Sequence, residues 1–344
     1  MNKANEQRPI LGISVGDPGG IGPEITVKTL AEKDSYKICK PFVVADIRIM
    51  EDVLRFTDEK LKLNPVRSPE EGLYRFGTID VLDMGNMNPK ELRYKTVTSQ
   101  QGKASFEYVE RIIALAMNHK VDGTVTGPIN KSAINAAGFH YAGHTEIYAS
   151  LTKTKDYAMM LADESFRVAH VSTHVSLKQA CSLVKKDRVF KVIQLSFDAL
   201  KKIGVVSPRI AVAGLNPHCG EDGLFGMEDE EEILPAVREA VKAGINVEGP
   251  IPADTVFSKM KGGMFDLVVV MYHDQGHIPM KLCGFQYDEK TKTWGAMAGV
   301  NVTLGLPIVR TSVDHGTAFG KAGEGRANPE SMISALQMAA KLSL

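Results

Sequence analysis

Short runs dense in Val, Ile and Ala alternate along the chain with longer stretches whose apolar residues recur every three or four positions. The short runs predict strands at residues 10–15, 41–45, 123–126, 167–172, 209–213, 266–271 and 300–304. Several are continuously apolar rather than alternating, which suits strands covered on both faces. The longer stretches predict helices at 105–118, 189–203, 230–243 and 328–342. In the last of these, Asn328 suits the N-cap, Pro329 the first helical position and Glu330 the positive end of the dipole. Such alternation specifies an α/β protein with a mostly parallel sheet. Residues 286–299 break the rhythm: polar, turn-rich and strand-capable, they hold the only tryptophan, Trp294, and read as a hairpin or flap.

Composition narrows the function classes. At 344 residues and 44% hydrophobic, the chain has material for two domains. Lys+Arg and Asp+Glu both number 41, so no bulk charge draws it to nucleic acid or an anionic membrane. Any bound anion needs a local site. No apolar run approaches the ~20 residues of a membrane span, and the polar N-terminus lacks a signal-peptide core. A soluble, cytoplasmic protein is expected. Cys39, Cys181, Cys219 and Cys283 are scattered, as for reduced thiols; only Cys219 stands out, because it follows His218 in a Gly-rich loop.

In open α/β sheets, ligands gather beyond the carboxyl ends of the strands. Three successive predicted strands end in a histidine there: His174, His218 and His273. Neutral imidazoles from separate loops can form an open metal site; the alternative is three unrelated polar loop residues. His170, in an alternating strand segment, reads as a core residue, and His277 as a neighbour of the site or of the substrate. His119 and His140 read as structural. The first loop, GDPGGIGPE at 16–24, fits neither GxGxxG nor a P-loop, so neither a Rossmann NAD site nor an ATPase is supported. It either turns backbone N–H groups toward a ligand or is a tight structural turn. Lys131 in TGPINK, the segment GHTE around His144, and Arg310 are candidate anion-gripping groups.

With those motifs in place, the chain resembles the 4-hydroxythreonine-4-phosphate dehydrogenase family of vitamin B6 biosynthesis nearly end to end. The segments are GDPGGIGPE (16–24), TGPINK (126–131), GHTE (143–146), STH (172–174), LNPHCGE (215–221), PADT (252–255), MYHDQGH (271–277) and VNVTLGLPIVRTSVDHGTA (300–318). The resemblance implies a two-domain α/β/α fold like that of isocitrate and isopropylmalate dehydrogenases, not a Rossmann fold. One domain would span 1–135 plus 300–344, the other 136–299. It implies a divalent metal (Zn, Mg, Mn or Co) on His174, His218 and His273, and a homodimer whose active site both chains complete. Substrate contacts carry over to His144, Thr145, Lys281, Asn301 and Arg310. Lys281 is a candidate for proton transfer or for anion binding, and Asp274 and Asp254 for orienting ligands or water. The tail, His315, Gly316, Thr317 and Ala318 through Asn328, resembles the NAD loop of the isopropylmalate and isocitrate enzymes, and Asp254 is grouped with these cofactor residues. Residues 167–174, Leu224–Gly226 and His277 bring the chain nearer a branch acting on D-threonate or D-erythronate 4-phosphate. That implies NAD-dependent oxidative decarboxylation to dihydroxyacetone phosphate. The family lacks most of 286–299, which is a lid, a dimer arm or a surface hairpin. A metal-free phosphate acyltransferase or a ligand-binding protein on the same scaffold are the competing classes.

Overall fold

A computed structural model describes residues 8–163, 166–284, 287–289, 293–294 and 299–344. The strands, in chain order, are β1 (Ile10–Ser14), β2 (Lys40–Ala45), β3 (Lys62–Val66), β4 (Thr78–Asp83), β5 (Gly123–Thr126), β6 (Ala158–Ala162), β7 (Arg167–His170), β8 (Ile210–Ala213), β9 (Val247–Ile251), β10 (Leu267–Val270), β11 (Tyr287–Asp288), β12 (Thr293–Trp294), β13 (Val300–Leu304) and β14 (Val309–Val313). They fall into two compact units, residues 1–154 with 306–344 and residues 155–305.

The first unit holds six parallel strands in the order β3-β4-β2-β1-β5-β14. Central strands β1 and β2 are almost wholly buried, as their continuous apolar runs require. β3 carries Pro65, which removes a backbone donor and is tolerated at the sheet edge. The C-terminal helix, Glu330–Leu342, is fixed by Thr311 Oγ1 donating to Ala335 O at 2.8 Å. The N-cap is Pro329 rather than Asn328, which stands one residue earlier and whose Oδ1 accepts from Glu330 N at 2.8 Å.

The second unit orders its strands β13-β6-β7-β10-β8-β9. β6 is antiparallel to both β13 and β7, whereas β7, β10, β8 and β9 are parallel. Its core includes Leu161, Val168, Ala211, Val268, Val270 and Met280. The unit boundaries fall at 154/155 and 305/306, not at the expected 135/136 and 299/300. Packing explains the first shift. Phe139 stacks on Phe106 of helix Ser99–Met117 at 3.8 Å, and Tyr148 Oη donates to Thr124 Oγ1 on β5. Residues 136–151 are thereby held in the first unit. β13 moves the other boundary by pairing with β6 along its whole length.

β11 and β12 pair antiparallel, so a hairpin does occur within 286–299; positions 286, 290–292 and 295–298 lie outside the described residues. No described helix is long and apolar enough to cross a membrane.

Candidate active site

Past β10 the chain does not form the loop expected for 272–277. A helix starts at His273 and runs to Gly284. Gln275 fixes its entry, accepting from Met271 N at 2.6 Å and donating to Gly214 O at 2.7 Å. Helical spacing puts His273, His277 and Lys281, each four residues from the next, on one face. The His277 ring stacks on His273 at 3.6 Å, and His174 lies 5.7 Å from His273. His273 Nδ1 is 2.7 Å from Asp274 Oδ1, which leaves Nε2 for a ligand. His174, His273, Asp274, Tyr272, Ser176 and Gln179 line a pocket of about 530 Å³. Behind it His170 is fully buried, its Nδ1 3.2 Å from Met159 O. Burial first, then His277, pushes its imidazole down to about 3, so it is neutral core. Gly276 makes room: a Cβ there would stand 2.6 Å from His170 Nε2.

His218 sits on a differently built loop. Buried Asp229 accepts from Leu215 N at 2.9 Å and Asn216 N at 3.0 Å, fixing the chain as it leaves β8. From His218 to Gly223 every residue then has positive φ, between 46° and 88°. Four are not glycine, and each such residue costs roughly 1 kcal/mol or more. Backbone held this way at non-glycine positions concentrates at functional sites. His218 is exposed, with Nδ1 3.1 Å from Glu221 Oε2. Among the described residues of one chain, no three His, Cys, Asp or Glu side chains form a metal-binding group. The single chain thus brings His174 and His273 together and leaves His218 outside that pair. Burial, then Asp229 and Asp254, push the Cys219 thiol up to about 11.

In the first unit, Arg310 on β14 is 2% exposed. It donates to Thr126 Oγ1 at 3.0 Å and lies 5.6 Å over the Tyr148 ring. Burial lowers its guanidinium to about 10. His144 opens the helix His144–Leu151; burial, then Arg310 and Lys131, push its imidazole well below the usual range. Its Nε2 is buried, with no hydrogen-bond partner among the described residues. Thr145 is half-buried one residue on. A buried guanidinium beside a neutral imidazole and a lysine suits an anion.

The 16–24 loop resolves as the tight structural turn. Four of its amides are spent within the protein: Asp17 N on Pro128 O, Gly19 N on Asp17 Oδ1, Gly20 N on Asp17 O and Ile21 N on Thr317 O. A Cβ on Gly16, where φ is +80°, would stand 2.2 Å from Pro128 O. Asp17 is fully buried, and burial raises its carboxyl to about 6 despite bonds from Gly19 and Gln101. An acid that binds its proton more tightly folded than unfolded loses stability as pH climbs from about 4 through 6. Asp17→Asn abolishes that slope. The urea stability of the variant relative to the parent is expected to gain about 2 kcal/mol between pH 4 and pH 7. Parallel pH profiles for the two proteins contradict the assignment.

The remaining predicted residues scatter. Asn301 is half-buried on β13, and Lys281 is half-buried on the histidine helix. Asp254 opens helix Ala253–Lys261 in the second unit beside Cys219, whereas His315, Gly316, Thr317, Ala318 and Asn328 belong to the first unit. Sequence reasoning missed Asp229 and Gln275. The predicted helix begins at residue 230 and leaves Asp229 out, whereas a π-helical turn over Asp229–Ile233 includes and buries it.

Comparison with known proteins places this arrangement. A D-threonate 4-phosphate dehydrogenase from Cupriavidus necator is 44% identical over 97% of both chains. The crystal structure of a 4-hydroxythreonine-4-phosphate dehydrogenase from Klebsiella pneumoniae is 41% identical, with a TM-score of 0.85, over 98% of this chain and 100% of that one. The corresponding protein of Burkholderia phymatum is also 41% identical, with a TM-score of 0.83, over 97% and 98%. The class is therefore an oxidoreductase of mixed α/β, non-Rossmann fold. The family described as pyridoxal phosphate biosynthetic protein PdxA matches residues 37–339, and the chain belongs to it.

Proposed function

We propose that the chain is an NAD- and divalent-metal-dependent dehydrogenase that oxidises and decarboxylates D-threonate or D-erythronate 4-phosphate to dihydroxyacetone phosphate and CO2. The observation that carries the metal is the pairing of His273 Nδ1 with Asp274 and of His218 Nδ1 with Glu221. A carboxylate on one ring nitrogen fixes the tautomer, orients the other nitrogen and raises its basicity, as at histidine metal sites. His174, His218 and His273 fit such a cation, with two protomers of a homodimer supplying them. When bound, the cation supplies charge that acidifies the substrate hydroxyl, and NAD supplies the hydride acceptor.

The chain's own groups do the rest. Arg310, His144 and Thr145 hold the phosphate, with Asn301 assigned to the substrate's hydroxyls. Lys281 Nζ takes the C3 hydroxyl proton as hydride leaves C3. The resulting 3-keto acid breaks its C1–C2 bond, CO2 departs, and the electron pair left at C2 is protonated from Lys281 Nζ. The segment His315–Asn328 is assigned to NAD. The name of the Cupriavidus necator relative supports a 2-hydroxyl substrate. The solved relatives' names support the second reading, 4-hydroxythreonine 4-phosphate, on which the same steps give an aminoacetone phosphate.

NADH formation with D-threonate, D-erythronate and 4-hydroxythreonine 4-phosphates, measured in parallel, decides between them. The highest kcat/KM is expected for an acid bearing a 2-hydroxyl. Preference for the amino substrate reverses the branch, and silence on all three turns the assignment toward a phosphate acyltransferase or a binding protein.

A further inference from the structure

We infer that Glu24 and Lys28 are positioning residues that clamp the segment around residues 316–328 in its NAD-binding shape. The inference rests on the assignment of that segment to NAD. Both residues lie on the helix Gly22–Ala31, which follows directly from the first glycine-rich loop. Glu24 is 1% exposed, and its Oε1 accepts from Ala327 N at 2.6 Å. Lys28 Nζ donates to that same oxygen at 3.0 Å, to Gly325 O at 2.7 Å and to Ala327 O at 2.8 Å. An ammonium has three donors, and these acceptors use all three.

The segment they hold has no strand or helix of its own. Turns at 318–324 shape its middle, where Lys321 N donates to Ala318 O at 2.9 Å, and the rest is fixed from outside. Gly325, at φ +69°, passes so close to Phe56 that a Cβ would stand 2.3 Å from the Phe56 carbonyl oxygen, and a Cβ on Gly323 would meet the Tyr94 ring at 2.9 Å. At its start Thr317 O is held by Ile21 N. The cofactor residues His315, Gly316, Ala318 and Asn328 are exposed, so their positions depend on these anchors.

Stability alone does not account for the pair. A carboxylate and an ammonium largely removed from water gain little over apolar residues of similar shape, and Glu24 Oε2 is buried with no donor among the described residues. What the pair does supply is direction: three bonds to backbone atoms of Gly325 and Ala327, in a stretch without strand or helix. One side chain pair thereby couples the first motif of the chain to the last.

The test combines the isosteric variants Glu24→Gln and Lys28→Met with the double variant, which leaves no unpaired buried charge if a single variant fails to fold. Hydrogen exchange of amides 316–328 is expected to quicken roughly tenfold or more, with the remaining amides unchanged. The Kd for NAD is expected to rise by a similar factor, while kcat and the KM for the phosphorylated acid stay within about twofold. Unchanged exchange in folded variants overturns the clamp. Faster exchange with unchanged NAD affinity overturns its role in cofactor binding. Parent protein that binds no NAD in the same titration removes the NAD assignment and the inference with it, and the exchange data keep the two failures apart.

Discussion

His273→Ala is expected to lower kcat by roughly 1000-fold or more, since on the proposed metal assignment several kcal/mol of charge stabilisation at the reacting hydroxyl goes with this ligand. His218→Ala is expected to do the same, although the two side chains belong to different structural contexts. His273 stands beside His174 on the pocket, whereas His218 is exposed on its left-handed turn. A homodimer in which His218 completes the partner's site has a direct consequence. When the two inactive variants are mixed and allowed to exchange subunits, half the dimers are mixed, and each has one site with every ligand intact. Specific activity is expected to recover to about a quarter of the parent value. No recovery, with subunit exchange verified, places all three ligands in one chain. Full activity of either variant after chelation removes the metal assignment. Asp274→Asn is the finer control: it keeps the imidazole but loses the carboxylate on Nδ1, and a 10–100-fold loss is expected.

How far these residues were legible in the sequence follows from what each depends on. His174, His218 and His273 were visible because each follows a run of buried β-branched or small residues, and a strand's carboxyl end is where a parallel sheet exposes ligands. Seven strands were found, most where Val, Ile and Ala run together, but β4, β9 and β14 were missed although they also carry Val or Ile, because polar or turn residues interrupt them. β6 reads Ala-Met-Met-Leu-Ala, residues that propensity assigns to helices, and only pairing with β13 and β7 makes it a strand. β3 was lost to its proline and its polar edge positions. The helix at His273 was mistaken for a loop because Gly276 and Pro279 interrupt its pattern. Gly276 is there for His170, a contact between elements more than a hundred residues apart. The first loop's purpose was undecidable for the same reason. Its amide partners, Pro128 and Thr317, are distant in sequence, and nothing local distinguishes an amide aimed at a ligand from one aimed at another loop.

Arg310→Met is expected to raise the KM for the phosphorylated substrate about 100-fold, the loss of roughly 3 kcal/mol from charge-assisted bonds to a dianion. The stability of the variant is the more discriminating measurement. A guanidinium 2% exposed and lowered by burial to about 10 is a charge that the folded state disfavours. At neutral pH the fold carries that cost, so a methionine of similar volume is expected to leave Tm unchanged or raise it. A structural arginine behaves oppositely: its removal lowers Tm and affects KM only through loss of folded protein. Arg310→Lys separates charge from geometry. Lysine keeps the charge but not the planar fork that reaches Thr126 Oγ1 and overlies Tyr148, so only part of the affinity is expected to return. A Tm lowered by several degrees together with an unchanged KM places Arg310 in the scaffold and leaves His144 and Lys131 to hold the anion.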